Sequence, residues 1–356
     1  MLARVEKLRE RLSALELDGF LVGHGANRRY LSGFTGSEGW LLVTREKSFL
    51  CTDFRYLEQA GQEAVGWEIV RSRRPFTATL APLLAEYGLR RVGFEEDYLS
   101  YRDYRNLVEK TREVQWVPCA GHVEALRRQK DDAELAAIKR AAQLDDRAFA
   151  HILSFLKPGL PEREIALELE LFARRHGGTG ASFAFIVASG PRAALPHGVA
   201  SNKLLQEGEF VIMDYGTVVD GYHSDFTRTV VLGKPTPEQV KVYRIVQEAQ
   251  AAAIAAVAPG RTAGEVDAAA RKIIVDHGYG DYFGHGTGHG VGLCIHEEPH
   301  LTPGADTVLL PGMVLTIEPG IYLPGWGGVR IEDLVVVTER GCEVLNQSHR
   351  ELVQAG

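Results

Sequence analysis

The chain has 356 residues, 45% hydrophobic and 24% charged, the balance of a folded protein and not of a disordered one. At roughly 100–200 residues per domain, this length predicts two or three domains with cores large enough to need no staples. A net charge of −7 without a basic block excludes a dedicated surface for nucleic acid or anionic membrane. No apolar stretch is long enough to span a bilayer. The cysteines Cys51, Cys119, Cys294 and Cys342 lie far apart with no CxxC pair, which argues against a zinc knuckle or disulfide framework and for reduced thiols. The N-terminal segment lacks the uninterrupted apolar region of a signal peptide, so the expected location is the cytoplasm.

In chain order, Val5, Leu8, Leu12 and Leu15 recur at helical spacing and predict a surface helix docked on a core. Residues 19–23, 40–43 and 48–52 read as strands, and 89–94 as another; the alternation predicts a small α/β domain. Residues 117–132 change character, with a proline, a glycine and then the charged run from Arg127 to Asp132. The boundary placed there gives domains 1–122 and 123–356. A long helix follows, with Leu135, Ile138, Ala141, Ala142 and Leu144 on its apolar side.

The second domain resembles itself. Lys157-Pro158-Gly159 leads to Glu164-Ile165 and an amphipathic helix ending at His176-Gly177. Ala258-Pro259-Gly260 leads likewise to Glu265-Val266 and a helix ending at His277-Gly278. His176 and His277 then read as partners of the helix C-termini. A turn glycine, an apolar strand, an acid and a second glycine occur twice, around Asp214 and around Glu318. Each acid is followed by another before a strand, Asp225 and Glu332. Two such halves facing across a pseudo-twofold axis bring four carboxylates together. Four ionised acids share a buried site only if cations or protons compensate them.

Between the acid pairs, glycine occupies every second position from Gly284 to Gly292, with His285 and His289 among the intervening residues. Read as a strand, this run puts both histidines on one face and leaves bare backbone that a metal or substrate can approach. Its two-residue period does not match the GxGxxG offsets, and GxxxxGK[ST] is absent, which excludes the nucleotide-loop reading. Asp214, Asp225, Glu318 and Glu332 with one imidazole suit two divalent ions, Mn²⁺ first, then Co²⁺ or Zn²⁺. Such a pair, ~3.5–4 Å apart, would activate water and polarise a carbonyl.

From about Glu124 onward the chain resembles the pita-bread metallopeptidases: methionine aminopeptidase, aminopeptidase P and prolidase. The carrying motifs are MDYG at Asp214, SDFTRT at Asp225, GTGHGVG at His289, TIEPGIY at Glu318 and RIEDLV at Glu332, in the family's order. The resemblance implies an α+β architecture, with a pseudo-symmetric catalytic domain of curved antiparallel sheet covered by helices. It also implies that Asp225 and Glu332 bridge two metals, Asp214 holds one, and His289 with Glu318 hold the other. Asn27 to Ser37 and Thr52 to Tyr56 resemble the creatinase-type N-terminal domain, which points toward Xaa-Pro substrates and a homodimer. Creatinase uses the fold without metals, whereas all five ligands stand here.

By the same resemblance Glu318 shuttles a proton, His296 stabilises the oxyanion and His197 assists the departing prolyl nitrogen. His285, Tyr322 and Arg330 match positions near the metals or lining the pocket. Arg330 either offsets the carboxylates or contacts substrate. Cys294 reads as a small core residue. The expected reaction is hydrolysis of the bond between an N-terminal residue and proline, by a dipeptidase (prolidase) or by an aminopeptidase P acting on longer peptides. A metal-free binding module and a metal-free amidinohydrolase are the alternatives of other classes. A dipeptidase needs a cation for the free carboxylate of a proline-containing dipeptide, and Arg330, Arg28, Arg29 and Arg55 are the candidates.

Overall fold

The computed structural model describes residues 2–356, which form two compact units that divide between Arg127 and Arg128. In the first unit, six strands are β1 (Gly19–Val22), β2 (Trp40–Thr44), β3 (Ser48–Thr52), β4 (Glu68–Arg71), β5 (Arg91–Glu95) and β6 (Gln115–Cys119). They form one sheet in the order β4-β3-β2-β1-β5-β6, parallel at β3–β4, β1–β5 and β5–β6. Sequence pattern missed β4 and β6. Both are sheet edges, where one flank faces solvent and the apolar alternation that marks the central strands is weak.

Helix Leu2–Ala14 buries Val5, Leu8 and Leu12 as its spacing predicts. Leu15 lies past the helix end and is 37% exposed, so the buried leucine there is Leu17. Arg28 is buried, and its guanidinium donates to the carbonyls of Gly23, Gly36 and Gly39. It holds loops together and is not free to bind a carboxylate. Arg55 pairs with Asp53 at 2.6 Å, and that contact holds the Asp53 carboxyl at about 2.

The second unit is built twice. In its first half, strands Ile186–Ser189, Phe210–Tyr215 and Phe226–Leu232 form an antiparallel series, with Val353–Ala355 added in parallel at the edge. Helices Asp132–Leu153 and Glu162–Arg175 supply Phe149, Ile152, Ile165 and Leu169 to a core shared with Val211, Met213 and Val230. In the second half, Gly288–Gly290, Val314–Ile317 and Asp333–Val337 form the corresponding series. Helices Pro237–Ala256 and Ala263–Asp276 pack Val242, Val246, Val266 and Ala270 against Leu315, Ile317 and Val335. The capping boxes Asp131–Glu134, Thr236–Gln239 and Thr262–Glu265 start three of these helices, each satisfying otherwise orphaned N–H groups. His176 and His277 sit at the helix ends, their Nδ1 atoms 2.7 Å from Phe172 O and 2.9 Å from Ile273 O. Among the described residues, no helix is long and apolar enough to cross a membrane.

The glycine run is not one strand: only Gly288–Gly290 is extended and paired. A side chain at its bare positions would run into neighbouring backbone, and Gly288 also lines the cavity. A Cβ on Gly288 would lie 2.0 Å from Thr316 O, and one on Gly290 2.4 Å from Glu298 O. Glycine is required there for close strand approach. Cys294 is half-buried beside this segment and is not a core residue.

Candidate metal centre

Strand register brings the acids together. Asp214, near the end of Phe210–Tyr215, stands opposite Thr227 of the next strand, and Asp225 immediately precedes that strand. In the second half Glu318 follows Val314–Ile317, and Glu332 precedes Asp333–Val337. The Glu332 N–H donates to Thr227 O at 3.1 Å, so the two halves meet at their acids. Asp214, Asp225 and Glu332 each bring a carboxylate oxygen within 4.8 Å of the others. The His289 Nδ1 lies 3.0 Å from Gly290 O, which places the ring proton on Nδ1. Its Nε2 lone pair then faces Asp225 and Glu318, each at 3.5 Å. Thr316 sets this pair: its hydroxyl accepts the His289 N–H at 3.0 Å and donates to Glu318 at 3.2 Å.

Asp214, Asp225, His289 and Glu332 are all buried. Burial, then the charge of the other acids, raises the Asp225 and Glu332 carboxyls well above the usual carboxylate range. Burial also raises Asp214, with Arg330 opposing it. The buried oxygens Asp214 Oδ1 and Glu332 Oε1 have no hydrogen-bond partner among the described residues. Buried acceptors left without donors, in an oxygen-rich set with one imidazole, fit divalent cations.

Arg330 is 2% exposed and its donors meet internal partners. Nη2 lies 2.5 Å from Asp214 Oδ2, Nη1 donates to Tyr322 Oη at 2.8 Å and Pro196 O at 3.3 Å, and Nε donates to Thr227 Oγ1 at 3.2 Å. Thr227 Oγ1 in turn donates to Glu332 at 2.6 Å. Because arginine only donates, the Tyr322 oxygen accepts, and its own proton points to His285 Nε2 at 2.9 Å. His285 then carries its proton on Nδ1, 2.7 Å from Gly286 O. Burial pushes the Tyr322 hydroxyl up to about 12 and lowers the basicity of His285, so both stay neutral. Arg330 ends the strand Gly327–Arg330, and Glu332 lies between it and Asp333–Val337, in a single bridge to Thr227. Of the two roles open to Arg330, these contacts favour charge offset.

A cavity of about 440 Å³ opens onto the acids, His197, His285 and His296, with Phe183, Ile186 and Val199 as apolar wall. The His296 ring stands edge-on to His289 at 4.4 Å between centroids, and burial with the neighbouring His289 lowers its basicity. His197 is exposed. The cavity also includes His300 and Thr302, which the sequence reading passed over. Only the strand register, with His289 opposite His300, brings His300 to the site.

Two family descriptions match the chain: Metallopeptidase family M24 over residues 136–339 and the Creatinase/Prolidase N-terminal domain over residues 4–129. An Xaa-Pro dipeptidase from Bacillus anthracis is similar in structure, with a TM-score of 0.97 and 46% identity over 99% of each chain. An X-Pro aminopeptidase from Thermotoga maritima has a TM-score of 0.91 and 36% identity, over 97% of this chain and 100% of that one. The Xaa-Pro dipeptidase of Pyrococcus furiosus is 38% identical over 99% of this chain and 100% of its own. With the ligand motifs in order, the pseudo-symmetric halves and the acid cluster at their junction, the chain belongs to metallopeptidase family M24.

Proposed function

We propose that the protein is an Xaa-Pro dipeptidase working with two divalent ions, Mn²⁺ before Co²⁺ or Zn²⁺, held by Asp214, Asp225, His289, Glu318 and Glu332. The carrying observation is the set of buried carboxylates with partnerless oxygens that opens onto a single cavity. When bound, such ions polarise the scissile carbonyl and make water a nucleophile near neutral pH.

The protein's own groups complete the chemistry. Glu318, outside the buried trio and touched by Thr316, takes a proton from the attacking water and passes it on. His296, with its lowered basicity and its place beside His289, donates a hydrogen bond to the developing oxyanion. His197, which also lines the cavity, donates to the prolyl nitrogen as it leaves. Arg330 orients Asp214 and opposes the effect of its burial, while Tyr322 and His285 border the substrate pocket.

The names of the Bacillus anthracis and Pyrococcus furiosus relatives support the dipeptidase, and that of the Thermotoga maritima protein supports an aminopeptidase acting on longer peptides. The cavity volume suits a dipeptide. A cytoplasmic homodimer completes the proposal, supported by the creatinase-type N-terminal domain and by four free cysteines. Comparing kcat/KM for a Xaa-Pro dipeptide, its C-terminal amide and a tripeptide tests the length preference. The dipeptidase loses ~1.5–3 kcal/mol on the amide, the worth of one charged hydrogen bond. Equal turnover of all three would favour the aminopeptidase.

A further inference from the structure

We propose that Glu162 is a positioning residue for His197, acting as a buried clamp across the two ends of the segment that carries it. The proposal rests on the assignment of His197 to the leaving-group side of the site.

Glu162 is the first residue of helix Glu162–Arg175 and is fully buried, yet it stands far in sequence from every metal-centre residue. Its carboxylate gathers donors from one excursion of the chain. Oε1 accepts from the Ser189 N–H at 2.8 Å and the Ser189 hydroxyl at 2.9 Å. Oε2 accepts from the Ser201 N–H at 3.1 Å, the Ser201 hydroxyl at 2.7 Å and the guanidinium of Arg192. Ser189 ends the strand that leads into the excursion, and Ser201 lies where the chain returns. A single carboxylate therefore ties the outgoing and incoming backbone together, and residues 190–200, His197 included, hang between the two ties.

The backbone repeats the restraint. The N–H groups of Glu162 and Arg163 donate to Lys203 O and Ser201 O at 2.9 and 3.0 Å, and Arg192 also donates to Val199 O at 2.9 Å. The His197 imidazole, by contrast, makes no hydrogen bond to any described residue. The path of its loop sets its place in the cavity; Glu162 ties that path at Ser189, Arg192 and Ser201, beside the contact of Arg330 with Pro196 O and the bridge of Val199 to Ile186. A donor displaced by about 1 Å loses much of its effect on a departing group.

The second half of the unit solves the same problem with other residues. On helix Ala263–Asp276, buried Asp267 pairs with Arg271 at 2.8 Å and accepts from the Thr287 N–H and hydroxyl. Arg271 donates to Phe283 O and His285 O. In each half a buried carboxylate on the helix after the Pro-Gly turn holds a histidine-bearing segment, although the two acids sit at different positions of the repeat. The carboxylate and arginine are the shared device, and the histidine is the shared load.

The test is a double-mutant cycle on the metal-loaded full chain, with Glu162→Gln, His197→Ala and the double variant, reading kcat, KM and bound metal. A neutral amide keeps the size of Glu162 and loses an acceptor for this set of donors. Glu162→Gln is expected to lower kcat by up to ~10²-fold with KM and metal content little changed. In the His197→Ala background the same change should cost no more than about twofold, since coupled residues do not add. An equal loss in both backgrounds would overturn the clamp and leave Glu162 a general structural residue. If Glu162→Gln does not fold, Ser189→Ala/Ser201→Ala removes two hydroxyl donors, keeps the Glu162–Arg192 pair and runs through the same cycle. Undiminished turnover in His197→Ala alone would overturn the assignment of His197, and the proposal with it, while leaving the metal content as wild type.

Discussion

Arg330 and Asp214 form an ion pair at 2.5 Å in which both residues are buried, and the same guanidinium reaches Tyr322 and through it His285. One arginine thus ties an acid of the first half to the pocket wall of the second. Buried charge left without its partner is costly, so Arg330→Met should destabilise the protein by ~3–5 kcal/mol in denaturant unfolding. Tyr322→Phe should cost only ~1 kcal/mol but release the His285 tautomer, visible as a shift of its ¹⁵N resonances. A loss under 1 kcal/mol for Arg330→Met would mean that the pair is not what compensates Asp214.

Asp145, on helix Asp132–Leu153, is fully buried, and desolvation raises its carboxyl to about 8. Thr217 donates to its Oδ1 at 2.6 Å, and its Oδ2 has no partner among the described residues. Unfolded, the group titrates near ~4. Between that value and about 8 the native chain holds a proton that the unfolded chain has lost, so this group's contribution to stability falls as pH rises through the window. Below the window the cost is absent; above it the cost is complete. Asp145→Asn, neutral throughout and still able to accept from Thr217, should flatten the fall and be more stable than wild type at pH 9 at fixed metal loading. A parallel pair of stability curves would contradict this.

His289 and His296 touch edge to face but have different expected tasks. His289→Ala should lower metal occupancy, because its Nε2 is the lone pair facing Asp225 and Glu318. His296→Ala should keep the metal and lower kcat by ~10²–10³-fold, as for the loss of an oxyanion donor. Metal analysis beside steady-state kinetics separates the two, and the reverse pattern would exchange the assignments.

Much of this site was legible in the sequence because the acids repeat at matching places of two strand pairs, and strand register converts that repetition into proximity. Asp214, Asp225 and Glu332 converge as the repeat predicts. The glycine run was harder. Its period of two looked like an exposed face, but the space opposite Gly288 and Gly290 is filled by the backbone of Thr316 and Glu298, which no local pattern reveals. His300 reaches the cavity only through its pairing opposite His289. Arg28 looked available for substrate, and three carbonyls of its own loops occupy it. Glu162 and Asp267 carried no signal either, since a buried clamp is written in long-range hydrogen bonds and not in spacing.

The central claim is that these carboxylates hold metal for peptide hydrolysis, and the most direct measurement is metal content with Xaa-Pro dipeptide hydrolysis on the same samples. Chelated wild-type protein should be inactive and regain activity with Mn²⁺. Asp225→Asn should lose metal and turnover together, since a neutral amide does not replace a carboxylate shared between two cations. Full activity in exhaustively chelated protein, or in Asp225→Asn without metal, would contradict it.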